Sequence, residues 1–266
     1  AISPAATKAL EAKYGLDKPM AERYFTYISD AAHGDFGDSL KQRGRTVMDI
    51  IATKFPVSAR LGGMAVVLAL CVGVPLGVLA AYKRGTFIDS LFSVIATCGI
   101  AVPGFVICTL LLYVFGVKLQ WLPTLGLKSA QSYIMPVVAL AAYPTSYIMR
   151  LMRSSMLDVL GQDYMRTAKA KGLSQKVSLF KHALRNAILP VITYVGPMLA
   201  YTLTGSFVTE KIFTIPGLGG EFIGSISSRD YTVIMGTTIF LATLLIVMNV
   251  IVDIIYKIVD PRIKLN

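Results

Sequence analysis

Five stretches of this chain, residues 61–82, 90–117, 132–149, 187–208 and 231–252, contain no Asp, Glu, Lys, Arg or His. Each is near the ~20 residues that cross a ~30 Å hydrocarbon layer at a helical rise of ~1.5 Å per residue. In lipid every backbone N–H and C=O must be satisfied by the chain itself, which leaves helices or a closed barrel. Continuous apolar runs, rather than ten-residue alternating segments, select helices. With 55% hydrophobic and 15% charged residues among 266, there is too little charge to cover a soluble surface of this size. The expected fold is an all-α integral membrane bundle. Its third span is the shortest, and residues 147–152 can extend it toward the interface.

The distribution of Lys and Arg sets the expected orientation. Lys83 and Arg84, the dense run between Arg150 and Arg185, and Lys257, Arg262 and Lys264 in the tail fall on one side. The opposite links hold only Lys118, Lys128, Lys211 and Arg229. The basic side and the tail are therefore expected to be cytoplasmic, with the N-terminal segment outside. Five crossings with an exported N-terminus imply a six-helix parent whose first helix precedes Ala1. The domain reading is an extracytoplasmic segment at 1–55, a membrane domain at 56–258 with a polar loop at 150–186, and a cytoplasmic tail at 259–266. Short outer helices are expected at 5–14 and 19–32, with Pro19 at a first helical position. A turn-rich Gly34-Asp35-Phe36-Gly37-Asp38-Ser39 follows, and Trp121 suits an interfacial anchor. The net charge of +11 sits in loops between apolar runs, so topology explains it and nucleic acid is not an expected partner.

Several chemistries are missing. Ion-coupled carriers place an ionisable group at membrane depth. Here Arg60, Asp89 and Asp253 stand only at span edges, where Arg60 can snorkel, Asp89 can cap a helix and Asp253 can pair with Lys257. No Gly-x-x-x-x-Gly-Lys-Ser/Thr loop is present to cradle a nucleotide. His33 and His182 are the only histidines, and Cys71, Cys98 and Cys108 read as buried thiols, so neither a catalytic constellation nor a metal site is expected. If the chain drives transport, its energy arrives through another subunit. Pro75, Pro103-Gly104, Pro136, Pro144, Pro190, Gly196-Pro197 and Gly205 allow helices to bend and cross closely, either in ordinary packing or around a water-lined path.

The polar loop is ordered rather than a simple turn. Asp163 can cap a short helix over 164–171, and Gly172 can end it in a left-handed conformation. Ser174 can cap a second helix in which Val177, Phe180, Leu184 and Ala187 form an apolar stripe, with Lys176, His182 and Arg185 off it. Two helices at an angle make a knuckle that transmits a push.

Leu157, Arg166-Thr167-Ala168, Gly172-Leu173, Leu179 and Leu184-Arg185 resemble the EAA loop of inner-membrane permease subunits of ABC importers. Arg166 stands where the name-giving Glu often occurs, and Arg185 where a Pro is common. These variants, with the His33–Ser39 motif, Thr209–Phe213, Pro216-Gly217-Leu218-Gly219 and Asp260-Pro261-Arg262, are similar to the dipeptide, oligopeptide and nickel branch. The resemblance implies a type I ABC importer permease bundle with five of six transmembrane helices present. It implies a homologous second permease, two ABC ATPase subunits and an extracytoplasmic substrate-binding protein as partners. ATP and Mg belong to the ATPases; no cofactor and no catalysis are expected in this chain. Asp163, Tyr164, Arg166, Thr167, Ala168, Ala170 and Gly172 are the expected coupling residues. A di- or oligopeptide is the expected cargo, with nickel or glutathione as alternatives. A membrane scaffold that docks a cytoplasmic protein and an ion-driven carrier are the rival classes. The segment 210–219 reads as a re-entrant or surface loop, or as a contact for a substrate-delivering protein.

Overall fold

The computed structural model describes residues 18–174, 177–203 and 207–259. The expected helix at 5–14, the tail beyond Val259, Lys176 and Gly205 lie outside them. Helix α1, Met20–Ala32, starts one residue later than expected, with Pro19 at the cap position and not the first helical one, and buries none of its residues. The Gly34–Ser39 loop then sends the Phe36 side chain into the core.

The organising element is α2, Val47–Tyr82, whose 36 residues span about 54 Å. A capping box starts it: Asp49 N–H donates to Thr46 Oγ1 at 3.0 Å and Thr46 N–H donates to Asp49 Oδ2 at 3.2 Å. Three clusters succeed one another along α2. Val47, Ile50 and Ile51 pack with Phe36, Leu218 and Val233. Leu61 and Ala65 pack with Cys108, Met135 and Phe213. Val66, Ala69, Val78 and Ala81 pack with Ile148, Met152, Met156 and Met165.

After α2 come α3, Phe87–Ala101, and α4, Gly104–Leu111, which runs on as π-helical Leu112–Lys118. A 3₁₀ turn at Ala130–Tyr133 leads into α5, Ile134–Leu160. Helix α6 is Asp163–Ala170. A π-helical turn, Ser178–Ala183, then passes through α7, Leu184–Ala187, to α8, Leu189–Leu203. The chain closes with α9, Phe207–Ile212, α10, Leu218–Ser228, and α11, Tyr231–Val259. Helices α2 and α5 cross with their backbones nearly touching. A Cβ at Gly73 would lie 2.8 Å from the Thr145 carbonyl oxygen, and one at Gly77 2.6 Å from that of Met149. This is the small-xxx-small packing that holds helices together where lipid removes the hydrophobic drive between them.

Several expectations need correction. Helix α2 starts 14 residues before the expected span, so the boundary at 55 falls inside it. The span at 90–117 is broken: α3 and α4 meet at 104°. Val102 is extended, with φ −77° and ψ 123°, because a residue before proline avoids the helical region, and Pro103 lacks the N–H to carry the ladder on. Within the expected span at 187–208 the described residues form α8, Leu189–Leu203, with Pro197 inside it. Among the described residues, three helices are long and apolar enough to cross a membrane, and a fourth crossing is reached if the bent pair counts as one. The third span is longer than expected, α5 continuing unbroken to Leu160. Cys71 and Cys98 are exposed on the surface of the bundle, and only Cys108 is buried.

Candidate functional site

Helix α6 is held at one end of the bundle by one face. Met165 and Ala168 are buried, and Met165 joins the cluster containing Met152 and Met156 of α5. α6 lies beyond the apolar spans, so burying Met165 stabilises it by roughly 1.5–3 kcal/mol. The Asn186 amide donates to the Tyr164 hydroxyl at 2.9 Å and links α6 to α7. The remaining face points away from the protein: the Asp163 side chain is 96% exposed and that of Arg166 80%, their charged groups 3.6 Å apart. Thr167 and Ala170 are also exposed. At the end of the helix Gly172 has φ +75°, and Leu173 N–H returns to the Ala168 carbonyl at 3.3 Å. That closes the helix with a left-handed glycine.

Of the expected coupling residues, Asp163, Arg166, Thr167 and Ala170 share the open face, together with a partly exposed Tyr164. Ala168 belongs to the anchor, and Gly172 forms the bend. The apolar stripe of the following segment is displaced from its expected phase. Leu179, Ala183, Leu184 and Ala187 face the cluster, while Val177 and Phe180 are 40% and 61% exposed. The wider π-helical turn at Ser178–Ala183 rotates the following residues off a 3.6-residue period.

Beside this end, Asp89 ties α3 to α5. It accepts from Arg153 Nε at 2.6 Å and from the second guanidinium nitrogen at 2.9 Å. It also accepts Gly85 N–H at 3.0 Å, which ties down the turn before α3; the expected helix-capping role is not found, since Asp89 lies within the first turn of α3 and Thr86 holds the cap position. The bidentate partner, 64 residues away, was not visible in the sequence.

Midway along the bundle a cavity of about 580 Å³ opens where the α3–α4 break, α5 and α8 meet. Pro103, Pro144 and Pro197 border it, and Tyr143, Tyr194 and Tyr201 project onto it. Tyr147 packs on Tyr194 at 4.3 Å between ring centres and stacks near Tyr143 at 6.3 Å. The sequence carried this signal: Tyr143 and Tyr147 are four residues apart and Tyr194 and Tyr201 seven, so each pair shares a helix face.

At the far end the segment 210–219 is structured around a carboxylate. Glu210 is 1% exposed; its Oε1 accepts from Ser58 Oγ at 2.7 Å and its Oε2 from Gly220 N–H at 2.8 Å. Ser58 Oγ in turn accepts Leu218 N–H at 2.8 Å, so α2 and Glu210 jointly cap α10. Burial pushes the Glu210 carboxyl above its ordinary range, ahead of the opposing effect of Ser58 and the glycine N–H groups. Asp230, 2% exposed, does similar work for the Gly34–Ser39 loop, accepting from Ser39 Oγ at 2.5 Å and from Leu40 N–H at 3.1 Å. Sequence reading missed both carboxylates because their partners are 152 and 191 residues away.

Comparison with known proteins fits this geometry. A family described as "Binding-protein-dependent transport system inner membrane component" matches residues 73–265. The dipeptide transport system permease protein DppB of Bacillus subtilis is 48% identical over 262 residues, covering 98% of this chain and 85% of the relative. The oligopeptide transport system permease protein OppB of Salmonella typhimurium is 42% identical over 266 residues, covering 99% and 87%. Among solved structures, the inward-facing MetNI methionine ABC transporter aligns with a TM-score of 0.65 at 19% identity, over 80% of this chain and 97% of that one.

Proposed function

This chain belongs to the binding-protein-dependent transport system inner membrane components, and from that premise we propose that it is the permease through which an ATP-driven importer moves di- or oligopeptides across the cytoplasmic membrane. The peptide cargo is supported by similarity to a dipeptide and an oligopeptide permease along nearly the whole chain. The observation that carries the mechanism is a short helix anchored by Met165 and Ala168 with its polar face left open.

In this reading two ABC ATPase subunits dock on the cytoplasmic side, one of them against Asp163, Tyr164, Arg166, Thr167 and Ala170. Nucleotide closure pushes α6. Because Met165 is packed among Met152, Met156, Val78 and Ala81, the push moves α5 and α2 as solid bodies rather than bending a loop. Helix α2 carries the motion to its far end, where Ser58 holds Glu210 and the start of α10. A substrate-binding protein delivers cargo at that outer end, and a homologous second permease closes the other half of the path. ATP and Mg are bound by the ATPases. The C-terminus lies in the cytoplasm, as the basic loops require.

The test is reconstitution of the chain with its partners in sealed vesicles. Labelled dipeptide is expected to accumulate only with ATP, binding protein and both ATPases present, and to keep accumulating when ion gradients are dissipated. Uptake that collapses with the gradient at constant ATP would return the chain to the ion-driven class. Binding of the ATPases without uptake of peptide would favour a scaffold or another cargo.

A further inference from the structure

We propose that the tyrosine-walled cavity at the α3–α4 break is the chamber in which the peptide is held during passage, its ammonium end received by ring faces instead of a carboxylate. The proposal rests on the peptide-import reading and adds the site and the chemistry of recognition.

Size admits a small ligand: about 580 Å³ lies within the ~300–1,000 Å³ of typical binding cavities. Among the described residues, the lining contains no Asp, Glu, His, Cys, Lys or Arg. A bare transition-metal ion would find neither thiolate, imidazole nor carboxylate there to replace its hydration shell. A peptide is a different case. Its ammonium is attracted to the negative face of an aromatic ring, and Tyr143, Tyr194 and Tyr201 all border the space. Its carboxylate can be met by phenol hydroxyls, and its N–H groups by the Leu140 carbonyl, which the proline at 144, lacking an N–H, cannot engage.

The aromatic wall is held in place. Tyr147 packs against Tyr194 and stacks near Tyr143, so rings from α5 and α8 form one surface while Tyr143 and Tyr201 stay 49% and 70% exposed. One broken helix pair and two helices with an internal proline bound the space: the 104° break, Pro144 within α5 and Pro197 within α8. A break and prolines around a cavity let its walls bend as the bundle rocks. Neutral walls without a fixed charge also suit cargo with varied side chains, since no side-chain charge would be trapped.

Placing p-benzoylphenylalanine at position 201 of the complete reconstituted transporter and illuminating it during turnover with a labelled dipeptide tests the chamber directly. The label is expected on this chain, dependent on ATP and binding protein, and absent when the photoprobe sits at position 246, on the exposed flank of α11. Tyr194→Leu, and Tyr201→Leu at an exposed position where folding is not at stake, are expected to lower peptide moved per ATP hydrolysed at least about threefold relative to Phe at the same site. Intact peptide uptake with no label at 201, or equal behaviour of Leu and Phe at both positions, would overturn the chamber while leaving the import reading standing. Failure of the unmodified complex to move peptide would count against the import reading itself.

Discussion

Glu210 lies 152 residues from its serine partner and is sealed from solvent, yet both of its oxygens accept hydrogen bonds. Replacing it with Gln keeps the size but puts an amide N–H where an oxygen now accepts from Ser58 or from Gly220, so one of the two buried bonds is lost at a cost of about 1–3 kcal/mol. The carboxyl also makes a pH prediction. Burial raises its folded-state pKa above the unfolded value, so its contribution to stability is complete below the ordinary glutamate range and is lost as pH rises through the folded value. The Tm of the wild-type complex, measured against that of the Glu210→Gln complex, is therefore expected to fall as the pH is raised toward neutrality. A difference that does not change with pH would contradict this. The sequence displayed Glu210 between an apolar span and a glycine-rich turn but not its burial, because Ser58 is brought to it only by the packing of α2 against α10. Asp89 was legible as a polar residue at a span edge but not as a turn brace or as the partner of Arg153, which packing brings from 64 residues away.

The polar knuckle was the most legible element. Its expected helix at 164–171 is found as Asp163–Ala170, with Asp163 inside the helix instead of capping it, and Gly172 does take the left-handed conformation, because glycine chemistry acts within a turn. The second half was less legible. A π-helical turn has no marker in a simple periodic count, and it moved the buried stripe onto Leu179 and Ala183. The glycine carries a testable consequence. No atom lies within 4 Å of a Cβ built at Gly172, so a substitution there acts through its φ of +75° and not through a clash. Gly172→Val is expected to strain the bend by at least about 1–2 kcal/mol and to reorient α6 while the membrane bundle stays assembled. Vesicles carrying it should hydrolyse ATP but move several-fold less peptide per ATP. An unchanged peptide-to-ATP ratio would show that the bend does not govern coupling.

At the scale of the molecule, charge-free runs announced a helical membrane protein, and the three clusters strung along α2 explain how one 36-residue helix connects its two ends. What the runs concealed was their interruption. Hydropathy averages over the Val102–Pro103 break and over Pro197, and only backbone geometry separates a straight crossing from two helices meeting at 104°. Of the prolines and glycines that flagged bending, Pro103, Gly104, Pro144 and Pro197 border the cavity, Pro75, Pro136, Pro190 and Gly196 do not line it, and the tyrosines facing it carried no expectation. The central claim is that force enters through the open face of α6. It is tested most directly by Thr167→Cys in a chain whose Cys71, Cys98 and Cys108 are replaced, oxidised in membranes that also contain the ATPase subunits. The account expects a disulfide to an ATPase cysteine at its interface, with ATP hydrolysis arrested until reductant is added, and none from Ser227→Cys on α10. An active transporter that never cross-links anywhere along 163–172 would contradict it.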